Sequence, residues 1–443
     1  MGIDMGKMVA LFAITLLWTA QALAVEQAHI NGFLGNIPTC TALSSGRVAN
    51  TLSDNFRQQP AASIFCDEVD LLHNQKNPIV QFLKMHSPVD RIDGMYFAIS
   101  DSDFANALCS IVSDNLHFTR LVWGGGKEGA RWADRLTECI RRKMSKAKLV
   151  VQGTGQIPGI SSFHPKFLLL SSDDLPHADL IISSGNPTRR SPNNLDDYLS
   201  LSIPKQDRLF LWHQCISEEF LIPGAMQNIG SLAEAYKHCS LAHLSFNDEE
   251  TQPYLLPFDR EQFLSQFAFW AGKSTQIDII SQGYNSLDLS NIVKASAQSG
   301  TKVRVIRDDD LLLSNNSALE GEMLNAIEEY YTWDHHICAP NVSTRFLLTN
   351  RDVNYLHAKF VLFSGEFGKR VLFGSANLTH AALYSNIENV YVSRNPELTS
   401  DFQVYFETLW NKYALTVSQI IPNFAKIGVL IATKRKDYYE CNN

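Results

Sequence analysis

The chain lacks a basic excess: 38 Lys and Arg stand against 46 Asp and Glu, a formal charge of −8. A protein built chiefly to hold nucleic acid carries the opposite balance, because phosphate contacts supply most non-specific affinity. That class is disfavoured, although a local basic cleft stays open. There is no Cys-x-x-Cys or His-x-x-x-His spacing, so a zinc site is not indicated. Gly124-Gly125-Gly126 follows a strand-like run, but no Gly-Lys-Ser/Thr follows it, and the run reads as a turn rather than a phosphate loop. Met8 to Trp18 is apolar yet falls short of the roughly 20 residues that cross a bilayer.

What is present near the N-terminus reads as an export signal. Lys7 precedes the apolar run, and Ala22-Leu23-Ala24 offers a small-x-small cleavage site before Val25. Residues 1–24 are therefore expected to be a signal peptide, leaving a mature chain with no transmembrane segment in an exported, periplasmic or secreted, setting. Eight cysteines remain, at 40, 66, 109, 139, 215, 239, 338 and 441. An even number in an oxidising compartment suggests disulfides. The near neighbours 40/66, 109/139 and 215/239 are plausible pairs, with 338/441 as a further staple. Apolar residues at 45% and charged residues at 19% make an ordinary globular balance.

One unit is used twice. From Met95 the chain reads MYFAIS, helical DSDFANALCSIVSDN, strand-like FTRLVWGG, helical ARWADRLTECIRRKMSKA, then KLVVQG, FHPKFLLLS, ADLIISSGN and YLSLSI. From Gln276 the order recurs: QIDIISQGY, LDLSNIVKASAQSG, TKVRVIRDD, ALEGEMLNAIEEYYTW, LHAKFVLFS, KRVLFGSAN and NVYVSR. Strands alternating with helices argue for a layered α/β fold. Two such halves argue for a pseudo-dimer whose facing edges share one site. FLWHQCISEEFL and DFQVYFETLWNKYA close the halves with helical spacing. The expected boundaries are 25–90 for an N-terminal extension, 91–246 and 273–415 for the halves, 247–272 for an acidic, proline-punctuated linker, and 416–443 for a tail.

Each half repeats a short series. His164-Pro165-Lys166 leads to Ser184-Gly185-Asn186 and then Asp196-Asp197; His357-Ala358-Lys359 leads to Gly374-Ser375-Ala376-Asn377 and then Glu388. Asparagine to carboxylate is 11 residues in both halves when Asp197 is paired with Glu388. Both His-x-Lys pairs open an apolar strand, so the two side chains share a face. The residue types suit a phosphodiester. Two lysines supply point charges and two asparagine amides supply neutral donors for its oxygens. One imidazole can attack phosphorus and the other can move the proton of the leaving and entering groups. A carboxylate behind each imidazole would fix its tautomer. No metal or other cofactor is required by this scheme.

The pairs HPK and HAK, with SGN and GSAN downstream, resemble the phospholipase D superfamily over roughly residues 92–415. That resemblance implies two α/β/α sandwich halves sharing one active site. It implies His164 as nucleophile, His357 as general acid/base, and Lys166, Lys359, Asn186 and Asn377 as the phosphate-binding set. It also implies crossed pairing, with Glu388 behind His164 and Asp197 behind His357. One departure stands out: the family motif carries Asp five residues after Lys, where this chain has Ser171 and Ser364. Loss of that Asp from both halves is a feature of the tyrosyl-DNA phosphodiesterase branch.

The expected function is a metal-independent phosphodiesterase acting through a phosphohistidine, with phospholipid or a related phosphodiester the favoured substrate. A nuclease-like enzyme on nucleic acid and a non-catalytic phosphodiester-binding module are the alternatives. Other features read blandly. Adjacent His335 and His336 point different ways, Arg189-Arg190 is as much a solvated loop as an anion contact, and residues 141–148 are the exposed end of a helix. Asn377-Leu378-Thr379 matches a glycosylation acceptor, and a glycan there would obstruct the site, so bacterial export is the easier reading.

Overall fold

The computed structural model describes residues 29–35, 77–125, 130–143, 147–189, 191–242, 250–308, 339–347, 356–416 and 419. The signal segment, the helical stretch 318–333, His335-His336 and the cysteine pairs 40/66 and 338/441 lie outside them. The first half contains β1 (His29–Gly35), α1 (Pro78–Met85), β2 (Arg91–Tyr96), α2 (Ser102–Ser110), β3 (Phe118–Trp123), α3 (Ala130–Lys143) and β4 (Lys148–Gly153). It continues with β5 (Ser162–Phe163), β6 (Lys166–Ser171), β7 (His177–Ser183), β8 (Asp197–Pro204), α4 (Arg208–Glu219) and α5 (Ile229–Ala242). The second half contains β9 (Thr251–Leu256), α6 (Arg260–Lys273), β10 (Ser274–Ile280), α7 (Leu287–Gln298), β11 (Lys302–Asp308) and β12 (Val342–Leu347). It ends with β13 (Phe360–Gly365), β14 (Gly368–Gly374), α8 (His380–Tyr384), β15 (Asn386–Ser393) and α9 (Pro396–Thr408).

The two sheets have the same order. The first runs β1-β8-β7-β6-β2-β3-β4; the second runs β12-β11-β10-β13-β14-β15, with β9 antiparallel on β15 as β1 is on β8. Two sequence expectations change here. Thr251–Leu256, read as linker, is the edge strand of the second sheet, and His29–Gly35, read as extension, is its counterpart in the first. Prolines and acidic residues around a short strand imitate a linker, because an edge strand tolerates Pro253.

Central strands are nearly continuous apolar runs, such as KFLLLS in β6, because both faces are covered. Alternate residues feed different layers. Met95, Phe167, Leu169, Ile280, Phe360 and Leu362 join a core between the sheets that also takes in Trp212 of α4 and Phe402 of α9. Leu168 and Leu170 face the first half's outer helices, and Val361 and Phe363 face the second's. Cys109 pairs with Cys139, tying α2 to α3, and Cys215 with Cys239, tying α4 to α5, at Cα separations of 6.2 and 5.5 Å.

The repeat extends to a charged cluster that the sequence did not advertise. Arg120 holds Asp93 at 2.5 Å and also reaches Glu218; Arg304 holds Asp278 at 2.6 Å and reaches Glu407 at 2.5 Å. Asp93 and Arg120 are register partners, as are Asp278 and Arg304. Ser171 lies opposite Arg91 and Ser364 opposite Gln276. Arg91 and Gln276 donate to Asp93 at 2.6 Å and to Asp278 at 2.8 Å. A carboxylate on the neighbouring strand thus stands close to each position where the family motif has Asp.

Candidate active site

Each His-x-Lys segment enters its strand by borrowing an edge from the other half. His164 N–H donates to Ile387 C=O at 2.9 Å, and β5 pairs with the start of β15. His357 N–H and Ala358 N–H donate to Leu195 C=O at 3.0 and 2.6 Å. These exchanged backbone bonds bring His164, Lys166, His357, Lys359, Glu388 and Asp197 to one seam.

The histidines are oriented across it. His164 Nδ1 lies 2.7 Å from Glu388 Oε2, and His357 Nδ1 lies 2.7 Å from Asp196 Oδ1. Crossed pairing holds, but the carboxylate at His357 is Asp196 and not Asp197. Equal spacing from asparagine misled here. The segment from asparagine to the histidine-bound carboxylate is one residue shorter in the first half: 10 residues lead from Asn186 to Asp196 where 11 lead from Asn377 to Glu388. Asp197 matches Asn389 instead: Asn389 Oδ1 accepts from Lys166 N–H at 2.7 Å, and the Asp197 carboxylate accepts from Lys359 N–H.

Two serines complete the arrangement. Ser184 Oγ donates to Asp196 at 2.9 Å and accepts from Asp197 N–H; Ser375 Oγ donates to Glu388 and accepts from Asn389 N–H at 3.0 Å. Both stand two residues before the motif asparagine, so the repeat itself could have flagged them. Gly185 lies between because a Cβ there would come within 2.5 Å of the Tyr198 hydroxyl. The second half has Val390 at the Tyr198 position and accepts Ala376.

The asparagines are fixed through their oxygens. Asn186 Oδ1 accepts from Ala98 N–H at 3.2 Å, and Asn377 Oδ1 accepts from Gly283 N–H at 3.2 Å. The amide NH2 is then the branch available to an anion. Lys166 Nζ lies 2.9 Å from His164 Nε2 and donates to its carbonyl at 3.1 Å; Lys359 Nζ donates to the His357 carbonyl. Behind Lys166, Tyr391 OH accepts from Asn389 and bonds buried His213 at 2.7 Å.

Burial lowers the cations, and Lys359 adds to the fall at Lys166 and at both histidines. Burial brings Lys166 to about 7 and Lys359 to about 8, although acidic neighbours oppose it. Burial and Lys359 bring His357 to about 4; burial also lowers His164, against the pull of Glu388. Burial pushes Asp196 and Glu388 upward, but their histidine partners hold both below the usual carboxylate range. Asp197 is raised to about 7 by burial, with Asp196 adding to the rise. Each histidine feels the lysine of the opposite half, as one shared centre requires.

Residues 271–410 match the family described as cardiolipin synthase, phospholipase D-like domain. The mitochondrial cardiolipin hydrolase of Chlamydomonas reinhardtii is 26% identical over 151 residues, 34% of this chain and 58% of that one. The human mitochondrial cardiolipin hydrolase is 25% identical over 222 residues, 49% of this chain and 72% of that one. The chain thus spans between 44% and 72% of the length of the relatives it matches. The crystal structure of a phosphatidylserine synthase from Haemophilus influenzae shares the fold, with a TM-score of 0.55 at 10% identity over 81% of this chain and 92% of that one. Residues 271–410 thus match a phospholipase D-like domain, and the shared strand order and the second His-Lys-Asn set extend that likeness to the first half.

Proposed function

We propose that the protein is a metal-independent phosphodiesterase that works through a phosphohistidine on His164, with a phospholipid as substrate. The observation that carries this reading is the crossed pair of His–carboxylate contacts with two lysines beside them. Glu388 holds the His164 tautomer with the proton on Nδ1, leaving the Nε2 lone pair to attack phosphorus. As the P–N bond forms and the ester P–O bond breaks, His357 Nε2–H gives its proton to the departing alkoxide. Water then attacks the phosphohistidine, His357 takes its proton, the P–N bond breaks and His164 is restored.

The lysines supply the positive charge that the equatorial oxygens need. Lys166 Nζ sits against the nucleophile's own nitrogen, so an arriving phosphate would draw the ammonium to itself and uncover the lone pair. Burial and then Lys359 keep His357 unprotonated, and the same anion would offset both and let it enter the cycle as an acid. Phospholipid is favoured by the acidic composition and by the names of the relatives, cardiolipin hydrolase and phosphatidylserine synthase. Among the described residues no helix is long and apolar enough to cross a membrane. The two disulfides support an oxidising, exported setting.

Turnover of labelled phosphatidylcholine vesicles and of a labelled DNA strand, both in EDTA, tests the proposal with wild type and His164→Ala side by side. Phospholipid cleavage by wild type alone is expected. Cleavage of DNA alone would move the protein to the nuclease-like reading. Equal cleavage by both proteins would remove His164 from its role, and binding without turnover would make the protein a binding module.

A further inference from the structure

A groove of about 380 Å³ opens beside His164, lined among others by Phe97, Gly124, Gly125, Gly155, Gln156 and Ile160. Phe97 is 40% exposed, yet its ring packs on the His164 imidazole with centroids 5.0 Å apart. Phe97 is therefore shared by the groove and the reacting centre. Its wall is close-built: a Cβ on Gly124 would meet the carbonyl oxygens of Phe163 and Phe97 at 2.7 and 2.8 Å. Gly125, at φ +100°, faces Gly155. Of the polar groups there, Ser161 Oγ is already bonded to Ser385 Oγ at 2.9 Å. No charged side chain is among the described residues lining it.

The second half answers with different chemistry at the same places. Met95 and Ile280 are equivalent through their register partners Phe167 and Phe360, the residues that follow the two motif lysines. Two positions on, Phe97 corresponds to Gln282. Across the sheet, Val122 corresponds to Ile306, so Trp123-Gly124 correspond to Arg307-Asp308. The His164 side is aromatic and glycine-lined, whereas the His357 side carries an amide, a guanidinium and a carboxylate.

We infer that this groove binds the uncharged, acylated-glycerol arm of the diester, and that Phe97 and Gln156 set specificity for it; the inference rests on the phosphodiesterase reading above. A phosphodiester has two arms, and the two sides of the seam differ in the way a phospholipid's arms differ. A nucleic-acid strand would bring a further phosphate with each nucleotide, and the described residues of the groove offer no cation to receive it. Apolar arms gain by leaving water for such walls, and a volume of this size accommodates a glycerol with short acyl chains.

Dihexanoylglycerol, which has no phosphate, provides a test independent of turnover. Calorimetric titration of wild type, Phe97→Ala and Gln156→Trp should show binding that weakens about tenfold in each variant, one by lost contact and the other by filling the groove. The ratio of kcat/KM for dihexanoyl phosphatidylcholine to that for glycerophosphocholine should fall in parallel. Gln156 is exposed, so the tryptophan is not expected to disturb folding. Binding lost in both variants without phospholipid turnover by wild type would keep the groove and sink the catalytic reading. Turnover with an unchanged ratio, or no dihexanoylglycerol binding, would overturn the groove assignment. So would a single-stranded oligonucleotide whose binding, rather than that of dihexanoylglycerol, is lost in both variants.

Discussion

His164 and His357 sit in equivalent places, each with a carboxylate from the other half at 2.7 Å, yet their surroundings diverge. His164 is backed by the longer Glu388 and packed by Phe97; His357 is backed by Asp196, which shares its strand entrance with a second acid, Asp197. In the second half that neighbour is the neutral Asn389. The two halves share the backbone devices, the seam bonds and the serine-anchored carboxylates, while the side chains around them differ. The difference teaches that shared geometry does not impose shared roles, and it makes the division of labour between the histidines testable.

The largest effect should come from separating the two imidazoles. His164→Ala and His357→Ala should each lower kcat by at least about four orders of magnitude on a phospholipid, since neither step proceeds without its partner. With a p-nitrophenyl diester, whose leaving group needs no proton, His357→Ala should still accumulate a covalent phosphoenzyme and His164→Ala should not. Acid-labile label trapped on the protein reads this directly. Label on His164→Ala alone would exchange the roles of the halves.

Next in size is the contrast between adjacent acids. Asp196→Asn should lower kcat by about two to four orders of magnitude, because the amide no longer enforces the tautomer of His357. Asp197→Asn should change kcat by less than about tenfold, because asparagine already does the equivalent work at Asn389. Reversal of this order in steady-state kinetics would restore the assignment that equal spacing suggested.

That assignment marks where sequence reading stops. The alternation of strands and helices and the doubled motif follow from apolar periodicity and repetition, which are written residue by residue, whereas the crossing of the halves is implied only by the family resemblance. Which of two neighbouring acids reaches the imidazole depends on one residue of loop length, and only the Ser184 and Ser375 bonds reveal the register. Edge strands at His29–Gly35 and Thr251–Leu256 were hidden because edges need little hydrophobic pattern. The Asp93–Arg120 and Asp278–Arg304 clusters were hidden because cross-strand partners lie 27 and 26 residues apart in the chain. Phe97 and Gln282 escaped notice because their equivalence rests on sheet register.

The pH dependence of kcat/KM should be asymmetric about neutrality. His164 is lowered from its ordinary value of 6.5, so it is a neutral nucleophile at pH 7 and the acid limb should lie below 6.5. Lys166 and Lys359 lose their charge near 7 and 8, so activity should fall as pH rises through that window in the free enzyme. A profile flat from pH 7 to about 10 would show that the lysine charges are not used.

The smallest effect is on stability and bears on the same pair of halves. Asp197 has a folded value of about 7 against an ordinary 3.8, raised chiefly by burial. An acid raised in the folded state contributes fully below its unfolded value and loses that contribution as pH climbs from about 4 to 7. Asp197→Asn would make the first half resemble the second, keep an acceptor for Lys359 N–H, and remove the buried charge. It should leave the melting temperature nearly unchanged at pH 4 and raise it by about 2–4 °C at pH 8, on the order of 1 kcal/mol or more. A fall at pH 8 would mean that the ionised carboxylate is held by the lysines as a stabilising partner. In that case the two halves differ by an added ion pair, and not by a neutral acid that stands in for an amide.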